Sequence, residues 1–176
     1  MRSGEFGFGK TIGALVAPGG GSLRTMTLVP SSPRECAELD ALRAASVDEL
    51  FDGADFRSRE DAECVRSGLF LYFGALDESH RISQRIPGST GSYWHGIMHR
   101  QEADWSNAKY WFRRTGRHPV YGDLERETGH RWDPFEFVDR CEAASKGRGG
   151  TRPIADLQML EWRLLMLHCC RSALGR

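Results

Sequence analysis

Residues 153–174 read P-I-A-D-L-Q-M-L-E-W-R-L-L-M-L-H-C-C-R-S-A-L, a segment whose apolar side chains surround a helix on nearly every side. A helix that is apolar all round is usually buried in the core of a protein. Thr151 can cap this helix, and Pro153 suits its first turn. The segment therefore predicts a central core helix, wrapped by the rest of the chain.

Helix start signals recur in the preceding sequence, where a capping residue is followed by an acidic side chain one turn later. No segment shows sustained period-two alternation of β-branched residues, which would indicate strands. We expect the other main helices to begin near Ser32, Ser58, Tyr93, Trp105 and Asp133, the second running to about Ser83 and the next two spanning 93–103 and 105–115. The prediction is an all-α, single-domain bundle of six to seven helices around a buried C-terminal helix.

The composition narrows the class of protein. With 24 basic and 24 acidic residues the formal charge is zero, so no global field attracts nucleic acid or an anionic membrane. No apolar run approaches the roughly 20 residues needed to span a bilayer. The five cysteines are scattered, without a C-x-x-C pair, which favours free thiols and a cytoplasmic location.

Residues 1–31 are predicted to be a disordered leader, and residues 32–176 the helical domain. The first 25 residues contain seven glycines and no periodic apolar pattern. Met26 is an alternative start of translation. Residues 4–11, G-E-F-G-F-G-K-T, match a phosphate-binding loop, but the sequence lacks the strand and the long helix which that loop needs on either side.

The predicted 93–103 helix carries a stripe of ionisable side chains. His95, His99 and Glu102 are spaced i, i+4 and i+7, which places them on one face. Two imidazoles one turn apart can bind a divalent metal, with the carboxylate as a third ligand or as a base. His80, near the end of the second helix, is a further candidate ligand. The alternatives are a metal-free acid–base cleft, or histidines that only form structural hydrogen bonds.

The last helix carries Glu161 and His168, which could add ligands from a facing helix. A carboxylate in such an apolar helix needs a partner, because unpaired burial of a charge is costly. The alternative is that Glu161 pairs at the surface with an arginine such as Arg163 or Arg171.

The predicted 105–115 helix combines cations and aromatic rings. Asn107, Lys109, Arg113 and Arg114 are candidates for holding an anionic substrate, since guanidinium and ammonium groups bind phosphates and carboxylates. The alternative is that the aromatic residues are core anchors and the arginines a solvated face. Nucleic acid is an unlikely partner, because it needs a more extended basic surface than a neutral chain offers.

Residues 94–114 carry the block W-H-G-x-x-H-R-x-E-x-D-x-S-N-A-K-Y-W-x-R-R. This block resembles one in a family of uncharacterised bacterial and fungal proteins of about this size. The resemblance covers roughly residues 60–125 and implies that this region forms one coherent unit. It implies no activity, cofactor or fold.

Two functions follow from these patterns. The first is a small helical enzyme, metal-dependent or histidine-based, in which His95, His99 and Glu102 act on a small anionic substrate. The alternative is a non-enzymatic module that binds a small ligand or another protein through the same residues. The metal-dependent form of the first function would use a divalent metal, whereas the histidine-based form needs none, and the sequence does not decide between them. Neither pattern fixes an oligomeric state.

Overall fold

A computed structural model describes residues 9–17, 21–148 and 150–176 of the chain. Within these residues the protein is entirely helical, with no strand, which confirms the predicted all-α class. The described residues form ten helices rather than the predicted six or seven. They are α1 (Lys10–Val16), α2 (Ala37–Ala44), α3 (Val47–Leu50), α4 (Arg59–Tyr72), α5 (Leu76–Ser83), α6 (Gly88–Gln101), α7 (Trp105–Thr115), α8 (Pro119–Thr128), α9 (Pro134–Ser145) and α10 (Thr151–Leu174).

The predicted second helix is two helices, α4 and α5. Ser58 caps α4 as expected, accepting a hydrogen bond from the backbone N–H of Asp61. The helix ends where Gly74 adopts a φ of +73°. The N–H of Gly74 then bonds to the carbonyl of Leu71, and the N–H of Ala75 to that of Phe70. This pair of bonds is a Schellman motif, which closes α4 and turns the chain into α5.

α6 and α7 pack along each other and form the centre of the candidate site. α6 begins at Gly88, earlier than predicted, and every residue from 91 to 100 is buried. α7 has the predicted bounds, because Asp104 caps it by accepting from the N–H of Asn107 at 3.1 Å. A Cβ atom on Gly96 would lie 3.1 Å from the ring of Phe112, so glycine permits the close approach of the two helices.

The C-terminal helix α10 has one deeply buried face and is not wrapped on all sides as predicted. The buried face includes Trp162, whose Nε1–H donates to the carbonyl of Gly68 in α4 at 2.7 Å. The leucines on the flanks are covered only in part, because α10 packs chiefly against α4, α8 and α9. These partly covered leucines are Leu157, Leu160, Leu164 and Leu167.

The described part of the predicted leader packs onto the domain, which differs from the expected disorder. Ile12, Val16 and Ala17 are buried, as are Met26 and Leu28 farther along. A core side chain also holds the chain that follows α1, because Gln158 Nε2 donates a hydrogen bond to the backbone carbonyl of Thr27. The glycine content led us to expect disorder, because ordering glycines costs conformational entropy. Burial of these apolar side chains offsets that cost.

The start of α1 coincides with the end of the phosphate-binding-loop pattern of residues 4–11, and a side chain of the protein binds there. The pattern lies partly outside the described residues, but its last two members, Lys10 and Thr11, begin α1. Their backbone N–H groups donate to the side-chain carboxylate of Asp52, at 3.0 Å and 3.3 Å. An internal carboxylate therefore occupies the anion position at this helix terminus.

Two further sequence predictions can be compared with the structure. Among the described residues, no helix is both long enough and apolar enough to cross a bilayer. The five cysteines are free thiols, and four of them are buried.

Candidate functional site

Three imidazoles from two helices converge at the junction of α5, α6 and α7. His80 lies in the last turn of α5, and His95 and His99 lie one turn apart on α6. The ring centroids are 4.7 Å apart for His80 and His95, 5.5 Å for His80 and His99, and 4.9 Å for His95 and His99. One nitrogen from each ring lies within 4.8 Å of the other two. We refer to these residues as the histidine cluster.

His95 is the most enclosed member of the cluster. Its ring stacks on the indole of Trp111 in α7, with centroids 3.8 Å apart and planes tilted by 13°. Both ring nitrogens are buried, and neither has a hydrogen-bond partner in the described structure. Burial, together with the neighbouring His99 and His80, lowers the pKa of His95 to about 3. His95 is therefore a neutral imidazole at physiological pH, which is the form that ligates metals.

Hydrogen bonds orient the ring of His99. Its Nδ1 lies 3.0 Å from a carboxylate oxygen of Glu102, and its Nε2 lies 3.1 Å from Nδ2 of Asn107. Since a carboxylate only accepts and an amide NH2 only donates, Nδ1 carries the proton and Nε2 accepts a hydrogen bond from Asn107. Burial lowers the pKa of His99, and hydrogen bonding to Glu102 opposes this effect without cancelling it. His99 is thus an oriented, neutral imidazole, and a metal at Nε2 would take the place of the Asn107 amide.

The carboxylates lie on the solvent side of the cluster. Glu102 is about half exposed at the end of α6 and holds His99 from outside. Asp104 lies close by, with one carboxylate oxygen within 4.8 Å of ligand atoms of His99 and Glu102. Hydrogen bonds from the N–H of Asn107 and from Ser106 lower the pKa of Asp104, so it is a carboxylate. Sequence analysis did not name Asp104 as a site residue, although its position as the cap of α7 marks it as close to His99.

The geometry suits a divalent transition metal held by imidazole. A metal with bonds of about 2.0–2.1 Å to nitrogen in tetrahedral geometry sets its ligand atoms about 3.3 Å apart. The three nitrogens lie within 4.8 Å of one another, so side-chain rotation would have to bring them to that spacing. The contact between Glu102 and His99 is the carboxylate–histidine arrangement that fixes the ring of a ligating histidine. Glu102 was predicted as a third ligand, as a base or as the residue that orients the histidines, and its contact with Nδ1 places it to orient His99.

The structure separates the four predicted anion-binding residues. Asn107 contacts His99, and the guanidinium of Arg114 lies 5.2 Å from the ring centroid of Trp111, so both adjoin the cluster. Lys109 is directed to α9, where it forms an ion pair with Asp139. Arg113 is exposed and makes no ion pair within the described ranges.

A second polar group, buried in the core, was missed by sequence analysis. Arg100 of α6 forms an ion pair with Glu161 of α10, and both side chains are fully buried. Tyr93 Oη donates to the same carboxylate at 3.0 Å. Burial is the largest single effect and lowers the pKa of Arg100, but the charge and hydrogen bond of Glu161, together with the neighbouring Cys141 and Tyr93, outweigh it and raise that pKa. The surface partners suggested for Glu161, Arg163 and Arg171, are therefore wrong.

His168, the other candidate of α10, lies apart from the histidine cluster. Its ring is 4.9 Å from that of His118, with the planes at 69°. The Nδ1 of His118 accepts from the N–H of Val120 and thereby caps α8. These two histidines belong to the α8–α10 contact and are not part of the cluster.

Comparison with protein-family models, with curated proteins and with solved structures gave no match.

Proposed function

We propose that the histidine cluster binds one divalent transition metal, of which zinc is the simplest case, through His80, His95 and His99. The observation that carries the proposal is the convergence of three imidazoles, one of which, His95, is buried with no partner for either nitrogen. A buried polar group without a partner destabilises a protein, and a metal bond would satisfy one of these nitrogens. Neutral imidazole is the ligand type that zinc, copper and nickel prefer.

We further propose that the metal serves hydrolysis of a small anionic substrate. A metal held by His80, His95 and His99 would supply Lewis-acid activation of water near neutral pH. Glu102 would orient His99, and Asp104 would be available to accept a proton at the solvent side. Arg114, in contact with Trp111, would attract the anion.

The alternative function is a non-enzymatic binding module in which the metal or the bare histidines serve a structural purpose. It is favoured by the close packing of the cluster, where Trp111 covers the ring of His95. A cavity of about 570 Å³ also lies away from the cluster, between α8 and α10.

Calorimetric titration of metal-stripped protein with zinc tests the metal site. We expect one zinc per chain, with affinity lost in His95→Gln and in His99→Gln. His130→Gln is the matched control, because His130 is exposed and lies in the segment between α8 and α9. The proposal would be contradicted if zinc binding is unchanged in both cluster variants, or if the control loses zinc binding to the same extent.

Hydrolysis assays then separate the enzyme from the binding module. The zinc-loaded protein is tested on a panel of phosphate and carboxylate esters, with Asp104→Asn as a variant that retains a cap for α7. Turnover that needs both zinc and Asp104 supports the enzyme. Zinc binding without turnover on any member of the panel favours the binding module.

A further inference from the structure

A cavity of about 570 Å³ lies between α8 and α10. Its volume falls within the range of about 300–1,000 Å³ that is typical of sites for small molecules. None of its lining residues belongs to α5, α6 or α7, so it is separate from the histidine cluster. We call it the arginine pocket, after the four guanidinium groups that line it.

The charge of the arginine pocket is positive, although the chain as a whole is neutral. Four arginines and two acids line it, a formal balance of +2: Arg126, Arg163, Arg171, Arg176, Asp123 and Glu127. Asp123 is already paired with Arg126. In the described part of the chain, no carboxylate forms an ion pair with the other three arginines. The pocket therefore concentrates guanidinium groups whose charge is not neutralised by the protein.

The arginine at the inner part of the pocket is partly withdrawn from solvent. Arg163 is half-buried, and its Nε is buried without a hydrogen-bond partner. Leaving a buried donor unpaired costs free energy, so a bound acceptor would stabilise this side chain. Arg171 lies two turns farther along α10 on the same side and is exposed, where it can close over a ligand held by Arg163.

The pocket also has an apolar wall. Leu164 and Leu167 line it from α10, and both are only partly covered by the core. A ligand that satisfies both features has a doubly charged head group and a compact apolar or aromatic part. Guanidinium groups bind phosphates and carboxylates alike through paired hydrogen bonds in a planar fork. The formal charge of +2 in the pocket matches a phosphate dianion better than a single carboxylate.

We propose that the arginine pocket binds a phosphorylated small organic molecule, with the phosphate on Arg163 and Arg171 and the carbon part against Leu164 and Leu167. This site is additional to the metal site and does not depend on it. Its ligand is either an effector or a substrate held apart from the histidine cluster.

Calorimetric titration with phenyl phosphate at constant ionic strength tests the proposal. At pH 7.5 this probe is mainly a dianion, because the second pKa of a phosphate ester is about 6. We expect saturable one-to-one binding that weakens at least tenfold in Arg171→Gln and in Arg163→Gln/Arg171→Gln. The single variant changes an exposed side chain, so it preserves the fold if the double variant does not. Arg152→Gln is the control, since Arg152 is an exposed arginine of α10 outside the pocket.

Phenylacetate, which carries one negative charge, is the second probe and should bind more weakly than phenyl phosphate. The proposal is overturned if phenyl phosphate shows no saturable binding, if Arg171→Gln binds as well as the natural protein, or if phenylacetate binds equally well. An equal loss in Arg152→Gln would show a general charge effect and would also overturn it. The titration is repeated on His95→Gln, where unchanged binding keeps this result distinct from failure of the metal site.

Discussion

Arg100 and Glu161 form a buried ion pair, so removing one of the two charges leaves the other buried without its partner. Both side chains are fully buried, and Glu161 also accepts from Tyr93 Oη at 3.0 Å. Changing Glu161 to Leu leaves the guanidinium of Arg100 buried with no carboxylate, its main remaining neighbour being the ring of Phe137 at 4.5 Å. Removing one partner of a buried pair typically costs about 3–5 kcal/mol. Loss of the Tyr93 hydrogen bond adds about 1 kcal/mol.

Urea unfolding followed by circular dichroism measures this effect as the change in the free energy of unfolding. We expect Glu161→Leu to lose at least about 3 kcal/mol. The double variant Arg100→Met/Glu161→Leu should recover most of that loss, because replacing both charges with apolar groups of similar size is often neutral or stabilising. A loss below about 1 kcal/mol in Glu161→Leu would refute the reasoning. So would a double variant that is less stable than the single one.

Three other perturbations have expected outcomes. Gly68→Ala should destabilise the protein by about 1–3 kcal/mol in urea unfolding, because the new Cβ would lie 2.6 Å from Met166 Sδ. Burial, with repulsion from His168, lowers the pKa of His118 to about 4. The pKa of histidine in the unfolded chain is about 6.5. The contribution of His118 to the free energy of unfolding is therefore fully present above pH 6.5, and it falls by up to about 1.4 kcal/mol per pH unit towards pH 4. His118→Asn retains a capping oxygen and should reduce this pH dependence. Urea unfolding at pH 7 and pH 5 measures the free energy of unfolding. The same difference between the two pH values in the variant and the natural protein would contradict the assignment of this pH dependence to His118. Glu102→Gln should weaken zinc binding about 10–100-fold in a chelator competition, with unchanged affinity arguing against its orienting effect on His99.

Local signals predicted the parts of the fold that depend on neighbouring residues. The bounds of α7 follow from the cap at Asp104 and the stop at Gly116, both of which are visible in the sequence. The break between α4 and α5 was missed, because Gly74 lies within an apolar run and its left-handed backbone conformation depends on the bonds that close α4. Packing of α1 against the domain was likewise missed, because its composition favours disorder and only tertiary burial orders it.

In the candidate site, too, the sequence predicted the features that depend on local spacing and missed those that depend on tertiary contacts. Helical spacing placed His95 and His99 on one stripe, as the structure has them. His80 was predicted as a candidate ligand near the end of the long second helix. The turn at Gly74, which was not predicted, places His80 on α5, close to His95 and His99. The ion pair of Arg100 with Glu161 joins residues 61 positions apart, and no spacing rule predicts such a pair. Lys109 has the right chemistry for an anion but a partner, Asp139, on another helix.

Elemental analysis of protein purified without chelator tests the central proposal most directly. It is measured beside His95→Gln/His99→Gln and beside the exposed-residue control His130→Gln. The metal-centre proposal predicts about one zinc, or another divalent transition metal, per chain in the natural protein and in the control, and none in the double variant. No metal in the natural protein, even after incubation with excess zinc and removal of the free ion, would contradict it.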